Sequence, residues 1–125
     1  MQNIILPRTD EAQAPDGSTA AQWAARWFGG PTQIRETRPV MGLTPSRIIP
    51  NNPRRVFWQV VNRSVNNVSF GFDNTVTTAN GYPLAPSAGF ASMAVQTDGE
   101  GVAYELIGIA DVAPSSLVVF EVIRV

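Results

Sequence analysis

A chain of 125 residues fits one domain of ordinary size, and its 44% apolar share is normal for a globular protein. Only 15% of its residues are charged, against about a quarter in typical domains, so few charges cover the surface. With no His, no Cys and only Arg among its nine basic residues, it has no disulfides, no Cys/His metal sites and no His, Cys or Lys to act as general base or nucleophile.

The first elements form an arm rather than a core. Ile4, Ile5 and Leu6 make a short apolar run that Pro7 ends, and residues 8–17 are polar with a Pro15-Asp-Gly turn signal. Ala20, Trp23, Ala24 and Trp27 then recur at helical spacing, which predicts a helix over 18–28 with Ser18 as its cap and Gly29-Gly30-Pro31 as its stop. Residues 32–38 read as an edge strand. Five prolines (31, 39, 45, 50 and 53) argue against a central strand or long helix between 31 and 53. The apolar segments 39–45 and 48–50 are expected to lie along a surface, of another copy or of another protein. Residues 1–54 are thus an N-terminal arm with a short helix, and 55–125 the folded domain.

From residue 55 the chain becomes strand after strand: 56–63, 68–73, 90–96, 103–110 and 117–125. Val68, Phe70 and Phe72 alternate with polar or small residues, predicting one core face and one solvent face. Residues 56–61 and 117–125 are apolar on both faces, which places them centrally in a sandwich covered by the N-terminal segment, against another subunit, or both. Asn66-Asn67, Asn80-Gly81, Asp98-Gly-Glu-Gly101 and Ala113-Pro-Ser-Ser116 supply the turns. The fold class is all-β: an antiparallel β-sandwich or jelly-roll-like barrel with an extended N-terminal arm and one short helix.

Little chemistry stands out. Asp98 and Glu100 are the nearest carboxylate pair for glycoside hydrolysis, but Asp98-Gly-Glu-Gly101 reads as a hairpin turn between 93–95 and 104–106. Asp73, Asn74, Asp98 and Glu100 offer oxygen ligands without the spacing of a calcium loop. Glu105 and Glu121 sit in strands and are expected to face solvent or an Arg. No enzyme, cofactor or metal site is expected.

Charge is unevenly spread. Residues 1–63 carry eight Arg and four carboxylates, and residues 64–125 carry one Arg and six, so a basic arm and an acidic domain share one chain. Such polarity registers one copy against a neighbour. Arg suits desolvated interface pairs better than Lys. A pI near 5.2 with one tight basic pair, Arg54-Arg55, speaks against nucleic acid. No run approaches the ~18 apolar residues of a spanning helix, and the N-terminus lacks the pattern of a signal peptide, so neither membrane insertion nor secretion is expected. Candidate partner contacts are Ile4 and Leu6 in the arm, Trp23, Trp27 and Phe28 on the helix, Arg35, Arg38, Arg54 and Arg55, and Tyr82 as the best exposed aromatic.

The block from Asn62-Arg-Ser64 through Val68-Ser-Phe-Gly-Phe-Asp73 and Val76-Thr-Thr-Ala-Asn-Gly81 to Ile107-Gly-Ile-Ala110 and Val119-Phe-Glu-Val-Ile123 resembles small β-rich virion proteins of tailed bacteriophages. The likeness covers about residues 55–125 and leaves out the N-terminal third. It implies a structural role in the particle. A small β domain with an adhesive arm best suits a capsid cement or decoration protein, bound to the outside of the major capsid protein lattice and assembled in the host cytoplasm. Its partners would be the major capsid protein and copies of itself, as a homodimer or homotrimer. A head-fibre, tail or adaptor component, or a carbohydrate-binding receptor-recognition module, would use the same block.

Overall fold

The computed structural model describes residues 19–125; Ile4, Leu6 and Ser18 lie outside the described residues. The described chain divides into two compact units, residues 19–33 with Arg124–Val125, and Ile34–Ile123.

In the first unit, helix α1 spans Ala20–Phe28. Its cap is Thr19, because Gln22 stands three residues on and completes a capping box: Gln22 N donates to Thr19 Oγ1 at 3.2 Å and Thr19 N donates to Gln22 Oε1 at 3.0 Å. Ser18 has Ala21 at that position and could not. Gly29 ends the helix in the left-handed conformation that glycine adopts freely.

The second unit is a β-sandwich of two antiparallel sheets. The first sheet has the order β1(Thr32–Thr37), β9(Ser115–Arg124), β4(Arg55–Asn62), β7(Phe90–Ala94), with the short β2(Val40–Met41) also paired to β9. The second has the order β3(Ser46–Ile49), β8(Leu106–Ala110), β5(Val68–Gly71), β6(Tyr82–Leu84). The expected edge strand at 32–38 is β1. Among the described residues only β5 and β6 form a consecutive hairpin; from β2 onward all the remaining links carry the chain from one sheet to the other.

Alternation places the core between the sheets. On β9, Leu117, Val119 and Ile123 are buried while Ser116, Phe120 and Arg124 are exposed, and Val60 pairs with Val119 across the β4–β9 ladder. Trp58 and Phe70 meet from opposite sheets with ring centroids 5.8 Å apart at 88°, the edge-to-face geometry that aromatic quadrupoles favour.

Three expectations are corrected. Residues 39–50 are part of this core rather than only a surface segment: Met41, Ile48 and Ile49 are buried in it while Val40 and Leu43 stay exposed, and the sandwich unit begins at Ile34, ahead of residue 55. Gly108 makes room for them, since a Cβ there would stand 2.7 Å from Met41 Sδ and 2.8 Å from Ile48 Cδ1. Prolines 39, 45 and 50 flank β2 and β3 rather than interrupt them, and Pro53 precedes β4.

Second, Asp98-Gly-Glu-Gly101 is not a hairpin, because β7 and β8 belong to different sheets. Helical turn α2(Val95–Asp98) and a 3-10 turn at Gly99–Ala103 make the crossing. Ala94 N donates to Asp98 Oδ2 at 2.9 Å, and buried Val102 plugs the core.

Third, β5 has no solvent face. Ser69 is buried because the 72–81 loop folds over the outside of the second sheet, where Val76 packs with Ile107 and Ile109. Phe72 lies beyond the strand and is exposed.

Candidate functional site

The ionisable side chains serve the fold. A register shift in β4 between Arg55 and Phe57 turns both Arg55 and Val56 inward, as bulges do when they re-aim a side chain. Arg55 Nε donates to Glu121 Oε1 at 2.7 Å, and its terminal nitrogens donate to the carbonyls of Val102, Tyr104 and Pro50. Arg35 Nε reaches Glu121 Oε2 at 3.2 Å from a half-exposed position. Glu105 faces Arg47 at 3.5 Å. Glu121 in β9 and Glu105, which stands just before β8 rather than in a strand, each meet an Arg as expected, and Arg55 is removed from the partner contacts, because its donors are spent inside the chain.

The remaining carboxylates brace turns. Asp98 closes α2, Glu100 Oε1 accepts from Tyr104 Oη, and Asp73 Oδ1 accepts from the backbone N and hydroxyl of Thr75. Those two Thr75 bonds, the hydroxyl first, hold the Asp73 carboxyl below its ordinary value of 3.8. Among the described residues no three His, Cys, Asp or Glu gather as a metal site.

What remains is two surfaces. One is the outer face of the first sheet. Val61, Val118 and Val122 are half-buried there, and Phe90 and Phe120 are 59% and 38% exposed. Glu36, Arg38 and Arg63 border a shallow hollow of about 290 Å³ on this face, with Val61, Val118 and Phe120 as its floor. The other is a cleft of about 660 Å³ where the free edges of β6 and β7 leave the sandwich open, lined by Trp58, Phe70, Phe72, Tyr82, Phe90 and Met93 among others.

Of the predicted contact residues, Tyr82 stands on the rim of this cleft, 56% exposed. Arg38 lies at the hollow, 3.4 Å from Glu36. Arg54 is exposed at the turn into β4, and Arg35 is tied to Glu121. Trp23, Trp27 and Phe28 gather on α1, with Trp23 5.5 Å from Trp27 and 6.1 Å from Phe28 between ring centroids. Ile4 and Leu6 fall outside the described residues. Sequence reasoning missed Phe72, Phe90 and Phe120; the two-faced apolar pattern of β9 signalled Phe120, but nothing local marks the β6–β7 gap.

One motif gains a physical reason. Asn62 in Asn62-Arg-Ser64 is fully buried: its Nδ2 donates to Asn66 O and Leu84 O, and its Oδ1 accepts from Ser64 N and Oγ. It stitches the end of β4 to β6 across the sandwich. No protein-family model, curated protein or solved structure matches this chain.

Proposed function

We propose that this chain is a structural protein of a bacteriophage particle, of the capsid cement or decoration type, that associates with copies of itself and with the major capsid protein. The observation that carries the reading is the asymmetry of the two outer sheet faces. The second sheet hides its outside under its own loop through Val76, Ile107 and Ile109. The first sheet leaves Val61, Phe90, Val118 and Phe120 in contact with solvent.

A contiguous apolar face rimmed by charge is the composition of a protein interface. Burial of that face contributes about 25 cal/mol per Å² of apolar surface before ordering costs are subtracted. Glu36, Arg38 and Arg63 at its margin set register and exclude wrong partners. The excess of Arg over carboxylates in residues 1–63 suits a neighbouring acidic surface, and the resemblance of residues 55–125 to phage virion proteins supplies the setting. High copy number turns many modest contacts into firm attachment.

The test is a binding assay on purified capsids lacking this protein, with Val61→Lys/Phe120→Glu on the outer face and a deletion of residues 1–30. Both variants should keep cooperative unfolding and lose capsid binding. Undiminished occupancy by both would overturn the proposal.

A further inference from the structure

We infer that the open β6–β7 edge of the sandwich is a binding site for a neutral oligosaccharide, held by stacking on aromatic rings and by a hydrogen bond from the Trp58 indole. The rings form a continuous series. Trp58 at the floor meets Phe70 edge-on at 5.8 Å, and Phe70 meets Tyr82 at 5.1 Å and 41°, so the apolar path runs from a residue 1% exposed to one 56% exposed. Phe72 and Phe90, about half exposed, also line the cleft. Aromatic planes open to solvent match the C–H face of a pyranose ring, which is apolar while its edge carries hydroxyls.

A second observation points to a ligand with hydroxyls. Trp58 Nε1 is buried and has no hydrogen-bond partner, although buried indole N–H groups normally find one. Its side chain lines the cleft, as do Ser92 and the Tyr82 ring with its phenol. Nε1 is sealed in this structure, so a saccharide hydroxyl satisfies the indole donor when the cleft floor shifts to uncover it; an alkyl chain would leave it unpaired. No charged side chain lines the cleft, which selects neutral sugars over uronic or sialic acids. About 660 Å³ lies within the usual range of small-molecule sites.

The rim is built to stay in place. Asn80 Oδ1 accepts from Thr77 N at 2.7 Å and Asn80 Nδ2 donates to Thr75 O at 3.1 Å, closing the loop that leads into β6. Gly81 lets that loop pass close to β5: a Cβ there would stand 2.7 Å from Val76 Cγ2 and 2.8 Å from Ser69 Cβ. Tyr82 is therefore presented by braced backbone, which lowers the ordering cost of binding. A peptide strand is the poorer occupant, because Pro83 at the centre of β6 lacks the N–H that a ladder along that edge requires.

The experiment uses the full ¹⁵N-labelled chain. A printed array of neutral and acidic oligosaccharides selects probes, and the best neutral probe is titrated to millimolar concentration while the indole N–H signal of Trp58, assigned through Trp58→Phe, is followed. The Trp58 signal should move, and Tyr82→Ala, an exposed substitution that spares the core, should weaken binding by about tenfold or more. Phe90→Ala should weaken it as well. Absence of any neutral binder, preference for acidic glycans, a Trp58 signal that does not move, or affinity unchanged by both alanine substitutions would overturn the inference. So would occupancy of the cleft by an apolar peptide with no response to sugars. The Trp58 signal and the Tyr82→Ala result are independent of capsid binding, which the outer-face variants test; Phe90 borders both surfaces.

Discussion

Arg55 and Glu121 form a fully buried ion pair, Nε to Oε1 at 2.7 Å, that joins β4 to β9 beneath the first sheet. Around it, Arg55 also ties down the carbonyls of Pro50, Val102 and Tyr104, so one guanidinium fixes the turn before β4 against the 3-10 turn before β8. Removing either partner strands a buried charge. Arg55→Met and Glu121→Leu should each cost about 3–5 kcal/mol in urea unfolding. The double variant should lose less than the sum by about 2 kcal/mol or more, with the three carbonyls accounting for what is not recovered. Arg35→Ala, at the half-exposed end of the same network, should cost no more than about 1 kcal/mol.

Asn62 uses its whole amide inside the sandwich. Asn62→Leu keeps the volume but leaves the carbonyl of Leu84 and the amide of Ser64 without partners, so a loss of about 2–4 kcal/mol is expected. Thermal unfolding monitored by Trp fluorescence checks it. Amide exchange should also rise first near Leu84 and Ser64.

Ala88 holds φ +97°, a conformation that L residues rarely adopt, in the turn where Ala88 N donates to Asn62 O and Gly89 N to Ala85 O. Ala88→Gly should stabilise the protein by about 0.5–1 kcal/mol, since relief of strain exceeds the added freedom of the unfolded chain. Gly108→Ala should act in the opposite sense, pressing on Met41 and Ile48 at a cost of about 1–3 kcal/mol. Comparing their denaturant midpoints checks both.

Asp73 sets a small acid dependence. Its carboxyl is held below 3.8 when folded, so its contribution is complete above the unfolded value and is lost as pH falls through the lower folded value. Between pH 5 and 8 it should contribute no slope. Carboxyl chemical shifts should place its midpoint below 3.8, and Thr75→Val, which removes the hydroxyl donor, should raise that midpoint.

How far the sequence could be read depended on whether local pattern or long-range packing decided each element. β5 was legible because its apolar residues recur at strand period, β4, β7, β8 and β9 because short apolar, β-branched and aromatic runs stand between turn residues, and α1 because Trp23 and Trp27 recur at helical period with Gly29 beyond them. β2 and β3 were not: two and four residues between prolines carry no period, and Met41 and Ile48 pack where Gly108, distant in sequence, leaves them room. The crossing at 95–103 was misread because a Gly-rich acidic tetrapeptide serves a hairpin and a 3-10 turn equally well. Arg55 looked like an exposed basic residue, and only the β4 register shift turns it inward. The cleft was legible in one residue, Tyr82; its other walls come from strands that meet only after the sandwich closes.

The central claim is that this chain is a major structural component of a particle. Quantitative mass spectrometry of purified particles from cells producing the protein tests it most directly. This chain should be present at a fixed ratio to the major capsid protein, on the order of hundreds of copies per particle, as a lattice-wide contact requires. Absence from the particle, with the chain recovered free, would contradict it.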